Sequence, residues 1–146
     1  RWCSSYCKID IAASALRNDE RFHNKRVLFI TGERGEESAN RARYFQLEPH
    51  KADLREGKKF FRHIDHYRPV LHWKEKRVWA IIERFGVNPH PAYFLGFSRT
   101  SCMACIFLNA DGFKTVSVLD PDRFERLARY EEEFGVTLKR NTSLRN

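Results

Sequence analysis

Residues 25–38 read K-R-V-L-F-I-T-G-E-R-G-E-E-S. Val27 to Thr31 form an unbroken apolar and β-branched run that stops at Gly32. Such a run, too short for a helix of useful length, predicts a buried and parallel β-strand. The Gly-Glu-Arg-Gly that follows predicts a loop at the strand's carboxyl end. Glycines at 32 and 35 allow close backbone approach to a ligand. Arg34 and Arg41 are candidates to grip a phosphate or sulfate, because a guanidinium offers a planar fork of donors. Glu37 also falls at i, i+4 from Arg41, the spacing of a simple helix ion pair.

Outward from this stretch, the pattern predicts an α/β chain. Residues 8–17, K-I-D-I-A-A-S-A-L-R, are Ala-rich and predict a helix. Residues 36–45 predict a short helix carrying Arg41 and Arg43. Residues 46–69 are polar and irregular and predict a loop with one short element, leaving His63 and His66 as surface residues. Residues 68–73, R-P-V-L-H-W, predict a return to extended structure. Glu75 to Phe85 predicts an amphipathic helix, with Val78, Ile81, Ile82 and Phe85 on one stripe and Gly86 as its stop. Asp120 and Pro121 mark the start of a last helix, Phe124, Leu127, Ala128 and Phe134 its apolar stripe, and Gly135 its end.

Composition narrows the function classes. The chain has 146 residues, 42% of them hydrophobic, with twelve Phe, five Tyr and three Trp. That is enough for one domain with an aromatic core, expected to span 1–146. No run approaches the roughly 20 apolar residues of a membrane span. No apolar leader segment opens the chain, so a cytoplasmic setting is expected. The net charge of +8 favours an anionic partner such as a nucleotide or nucleic acid. The basic residues are scattered rather than gathered into a polybasic arm.

The four cysteines form two close pairs, Cys3/Cys7 and Cys102/Cys105, at opposite ends of a long gap. Disulfides, inert buried thiols and a shared metal centre all compete to explain them. Paired spacing suits a centre best, because each short turn offers two thiolates. Spacing alone leaves zinc and iron–sulfur both open. Near the pairs in sequence lie Lys8, His90 between two prolines, and Arg99, each a candidate wall of an anion site.

Taken in order, R-W-C…K, G-E-R-G-E-E-S…R, R-P-V-L-H-W, H-P-A-Y-F-L-G-F-S-R and C-M-A-C resemble the phosphoadenosine phosphosulfate reductase family of the PP-loop superfamily. The resemblance extends to D-P-D-R-F-E-R-L-A-R-Y-E-E-E-F-G near the end. It implies a Rossmann-like parallel sheet with flanking helices, and a chain corresponding to the carboxyl-terminal portion of that domain. It implies an enzyme portion that binds an adenine nucleotide or sulfonucleotide for reduction or sulfur transfer. An electron donor such as thioredoxin would be a partner. It moves Cys3, Cys7, Cys102 and Cys105 toward a [4Fe–4S] cluster, with zinc as the alternative. Lys8, Gly32, Arg34, Arg41, His90 and Arg99 become the nucleotide-contacting set, while Glu37 and Ser38 hold the loop.

Three departures accompany the resemblance. The family's S-x-G-x-D-S-type phosphate loop is expected upstream of Arg1. No cysteine follows Cys105, so no nucleophilic tail thiol, and hence no catalytic residue, is assigned. Ile106 stands where the family usually has Pro. Two other functions fit the same residues: a PP-loop ATP pyrophosphatase of tRNA or DNA sulfur modification, and a zinc-stabilised basic nucleic-acid-binding module.

Overall fold

Strand β1 (Arg26–Ile30) pairs in parallel with β3 (His63–Tyr67), placing Arg26 opposite His63 and Ile30 opposite Tyr67. A short β2 (Leu47–Pro49) pairs antiparallel on the other side of β3. The order is β1-β3-β2, so the sheet is mixed rather than wholly parallel, and β3 is its centre. The structure is a computed structural model, and it describes residues 2–58 and 61–145.

Helix α1 (Trp2–Ser4) runs through a π-helical turn (Ser5–Ile9) into α2 (Asp10–Asn18). Ala13 and Leu16 of α2 are buried against Ile64 and Ala52, with Val27 and Phe29 packed around them. Ile64, the second residue of β3, is fully buried. Burying a side chain of that size contributes roughly 1.5–3 kcal/mol. The alternate residues Leu28 and Ile30 remain more than half exposed, because α2 covers one face only. The continuous apolar run in β1 therefore corrects to a half-buried edge strand, not one buried on both faces.

Three further expectations are corrected. Residues 46–69 hold β2 and the central strand, whose ladder tolerates polar residues because the side chains beside Ile64 find partners. Residues 36–45 form two 3-10 turns (Gly35–Glu37 and Arg41–Arg43) instead of a helix. Residues 68–73 form a turn closed by Leu71 N–H to Arg68 O and Trp73 N–H to Val70 O. Helix α3 (Glu75–Arg84) appears, although Val78, Ile81 and Ile82 of its expected stripe are half-buried and Phe85 lies past its end, exposed.

The chain divides into two compact units, Arg1–Glu83 and Arg84–Asn146. The second is helical, with α4 (Ala110–Leu119) and α5 (Pro121–Phe134). Its core is Phe97, Cys105, Leu108, Phe113 and Val116, against which Phe124 and Leu127 pack. Asn109 caps α4 by accepting from Gly112 N–H. Asp120 caps α5 by accepting from Arg123 N–H, with Pro121 at the first position and Gly135 (φ 62°) in the left-handed stop. Of the expected stripe of α5, Phe134 points outward, 70% exposed. Buried Glu131 accepts from Leu138 N–H, Leu144 N–H and the Ser143 hydroxyl, tying the terminal segment to α5. No helix among the described residues is long and apolar enough to cross a membrane.

Candidate functional site

The loop leaving β1 is held by backbone first. Thr31 N–H donates to Tyr67 O (3.1 Å), and Gly35 N–H donates to Leu71 O (2.8 Å). A Cβ at Gly35 would meet Ala42 Cα and Leu71 O at 3.3 Å, so any larger residue there would push the two turns apart by a few tenths of an ångström. Gly32 is different: a Cβ would meet nothing within 4 Å. Gly35 therefore closes the loop, and Gly32 faces open space.

Arg34 is 14% exposed and ringed by acids. Its guanidinium lies 2.8 Å from Glu36, 3.7 Å from Glu37 and 3.6 Å from Glu75 at the start of α3. Glu37 also pairs with Arg41, so one carboxylate joins the two arginines. Ser38 holds the loop with its hydroxyl, which accepts from Arg41 N–H (3.3 Å). Glu36 accepts from Glu75 N–H (2.7 Å). That bond first, then the Lys74 and Arg34 charges, outweigh desolvation and hold its carboxyl below the usual value. A shallow cavity of about 210 Å³ lies between the Gly35–Glu36 turn, Ala42 and the Leu71–Lys74 turn.

A second cluster at the same end of the sheet is one that sequence reasoning missed. Arg68 is 4% exposed. It pairs with Glu33 and with Glu48 (2.7 Å), donates to Phe45 O (2.8 Å) and to His66 Nδ1 (2.9 Å), and lies over the Tyr44 ring (4.8 Å). His66 also reaches Thr31 Oγ1 through Nε2 (2.7 Å) and packs edge-on against Phe29 and His50. Burial, and then the Arg68 charge, push the His66 imidazole below its ordinary pKa despite Glu33 and Glu48. His50 is lowered chiefly by burial, then by His66. His63 pairs with Asp65 (3.1 Å). Neither His63 nor His66 is a surface residue, because both stand on the central strand. The available signal was the alternation of Arg62, Ile64, His66 and Arg68, a strand period hidden by polar residues.

The remaining candidates divide between the units. Cys3, Cys7 and Lys8 lie on exposed helical turns of the first. In the second, His90 caps the 3-10 turn Pro91–Leu95, its Nδ1 accepting from Ala92 N–H (3.1 Å). Arg99 lies over the Phe107 ring (5.5 Å). Cys102 is exposed and Cys105 is buried. Burial raises the Cys105 thiol, but the Phe107 backbone N–H, the Arg99 charge, Cys102 and Ser101 bring it below the ordinary thiol value. The structure thus joins Arg34 to Arg41, and sets Arg99 near Cys105. Among the described residues, no group of three or more His, Cys, Asp or Glu is arranged to hold a metal ion. Each unit alone offers one pair of sulfurs. No chemistry is derived through a cluster.

The model of the "Phosphoadenosine phosphosulfate reductase domain" family matches residues 1–107, a span that contains the loop arginines, Arg68 and all four cysteines. A relative named "Uncharacterized 37.8 kDa protein in gpa 5'region", from Escherichia phage 186, is 29% identical over 143 residues. The alignment covers 98% of this chain and 41% of that protein, so the chain spans about two-fifths of its relative's length. No solved structure matches.

Proposed function

The chain belongs to the phosphoadenosine phosphosulfate reductase domain family, and from that premise we propose that it binds an adenosine phosphosulfate-type nucleotide at the carboxyl end of β1, for reduction or sulfur transfer. The observation that carries this reading is the Arg34–Glu37–Arg41 bridge in the loop after a parallel strand. Ligands of α/β sheets collect at such strand ends. Both arginines are engaged by carboxylates of an exposed loop. A phosphate or sulfate can replace those partners, since surface ion pairs hold with about 0–1 kcal/mol. Bidentate contacts to an oxyanion are stronger. The +8 charge steers such a ligand inward.

The cysteine pairs enter this proposal as donors only. Four thiolates are the set a [4Fe–4S] cluster uses, and zinc takes the same atoms. Metal and sulfide analysis after anaerobic purification decides between them: iron with acid-labile sulfide supports the cluster, and stoichiometric zinc without sulfide rejects it.

The nucleotide reading is tested by calorimetry with adenosine 5′-phosphosulfate. Wild type is expected to bind, and the Arg34→Gln/Arg41→Gln variant to lose at least about tenfold in affinity with an unchanged circular dichroism spectrum. Salt-sensitive binding of random DNA with no response to the nucleotide would reject the reading in favour of a nucleic-acid module.

A further inference from the structure

Arg68 has only donors to offer. Its contact with His66 Nδ1 (2.9 Å) therefore requires that nitrogen to accept, which places the ring's N–H on Nε2. Nε2 then donates to Thr31 Oγ1 (2.7 Å). The Thr31 oxygen is thus committed as an acceptor, and its own proton must point elsewhere. Among the described residues, no acceptor meets that proton. Thr31 is half-buried, one residue before Gly32 and its open space.

Glu33 stands on the far side of Gly32. Its Oε1 is paired with Arg68 and lies 3.9 Å from the same His66 Nε2. Its Oε2 meets no donor among the described residues. His66 thus anchors a hydroxyl with a proton to give, and Arg68 holds beside it a carboxylate with a lone pair to spare. The charges decide what fits between them. Arg68 is one positive charge against the two negatives of Glu33 and Glu48, and the His66 ring, whose Nδ1 accepts from Arg68, adds none. An excess of negative charge opposes a phosphate or sulfate. It suits an uncharged group that both accepts and donates.

We propose that Thr31 and Glu33, held by the Arg68–His66 pair on either side of Gly32, form a recognition subsite for sugar hydroxyls. A ribose hydroxyl would accept from Thr31, and it or its neighbour would donate to Glu33. Carboxylates at strand ends recognise ribose in this way in other α/β sheets. The proposal rests on the nucleotide reading only for the molecule that carries the sugar. It gives the two parts of the loop separate tasks: Thr31 and Glu33 take the neutral sugar, and Arg34 and Arg41 take the anion.

The test follows backbone amides by NMR in 15N-labelled protein, using two probes that separate the tasks. Methyl β-D-ribofuranoside is expected to shift the Gly32 amide saturably, and inorganic phosphate to leave it in place. Thr31→Val keeps the side-chain shape without the hydroxyl and is expected to weaken the sugar response at least about tenfold, the scale of a lost hydrogen bond in a shielded site. Thr31→Ser is expected to restore it. A long-range 1H–15N spectrum is expected to show the His66 proton on Nε2. A Gly32 response to phosphate alone, no response to the sugar, equal responses in wild type and Thr31→Val, or a proton on Nδ1 would each overturn the subsite. A sugar response without any binding of adenosine 5′-phosphosulfate would sink the nucleotide reading and leave the subsite standing.

Discussion

Arg34 and Arg68 are both surrounded by carboxylates at one end of one sheet, yet they are built differently. Arg34 has three acidic partners, all from exposed positions, and two of its contacts are longer than 3.5 Å. Arg68 has two acids, a backbone carbonyl, an imidazole and a tyrosine ring, and its side chain is 5% exposed. The first arrangement can exchange partners with an incoming anion. The second cannot, because every replacement would strand a buried charge. The contrast separates a group whose partners can be exchanged from a group that positions others.

The largest test of that contrast is Arg68→Met. Removing the guanidinium leaves Glu33 and Glu48 without their shared counter-charge, and urea denaturation is expected to show a loss of about 3–5 kcal/mol. A loss below about 1 kcal/mol would place Arg68 in the same class as Arg34. The two loop glycines give an intermediate test. Gly35→Ala presses a Cβ against backbone at 3.3 Å and is expected to cost about 1–3 kcal/mol. Gly32→Ala meets open space and is expected to cost less than about 0.5 kcal/mol. Equal costs would mean that the loop closes elsewhere. The smallest stability effect is expected for Arg34→Gln, under about 1 kcal/mol and shrinking further in 1 M salt, measured by thermal unfolding. A large, salt-insensitive loss would make Arg34 a structural residue and remove it from the proposed anion site.

Much of this was legible in the sequence where one local rule operates. Val27 to Thr31 announce a strand by composition, and Asp120, Pro121 and Gly135 announce a helix by capping chemistry that needs no distant partner. Glu37 pairs with Arg41 as their spacing suggested, and Ser38 holds the loop as the resemblance implied. What could not be read depends on tertiary partners. The central strand carries His63, Asp65, His66 and Tyr67, a polar set that looks like loop until Arg55, Thr31 and Arg68 are brought to it. Helix α4 went unnoticed because Asn109 and Gly112 cap it in a segment dominated by the cysteine motif. The exposure of Leu28 and Ile30 was equally hidden, since an apolar run does not state how many of its faces find cover.

Asp120 has a consequence for the order of events during refolding. It closes α4, its N–H bonding Val116 O, and opens α5, its carbonyl receiving Phe124 N–H, so one residue is the whole joint. The corner it makes needs only contacts between sequence neighbours. The parallel pair β1–β3 must instead bring Arg26 to His63 across a long intervening segment that also holds β2. Nearby contacts close faster than distant ones. The α4–α5 segment is therefore the one expected to organise first when the denatured chain is diluted into buffer, with the β1–β3 pair assembling after it.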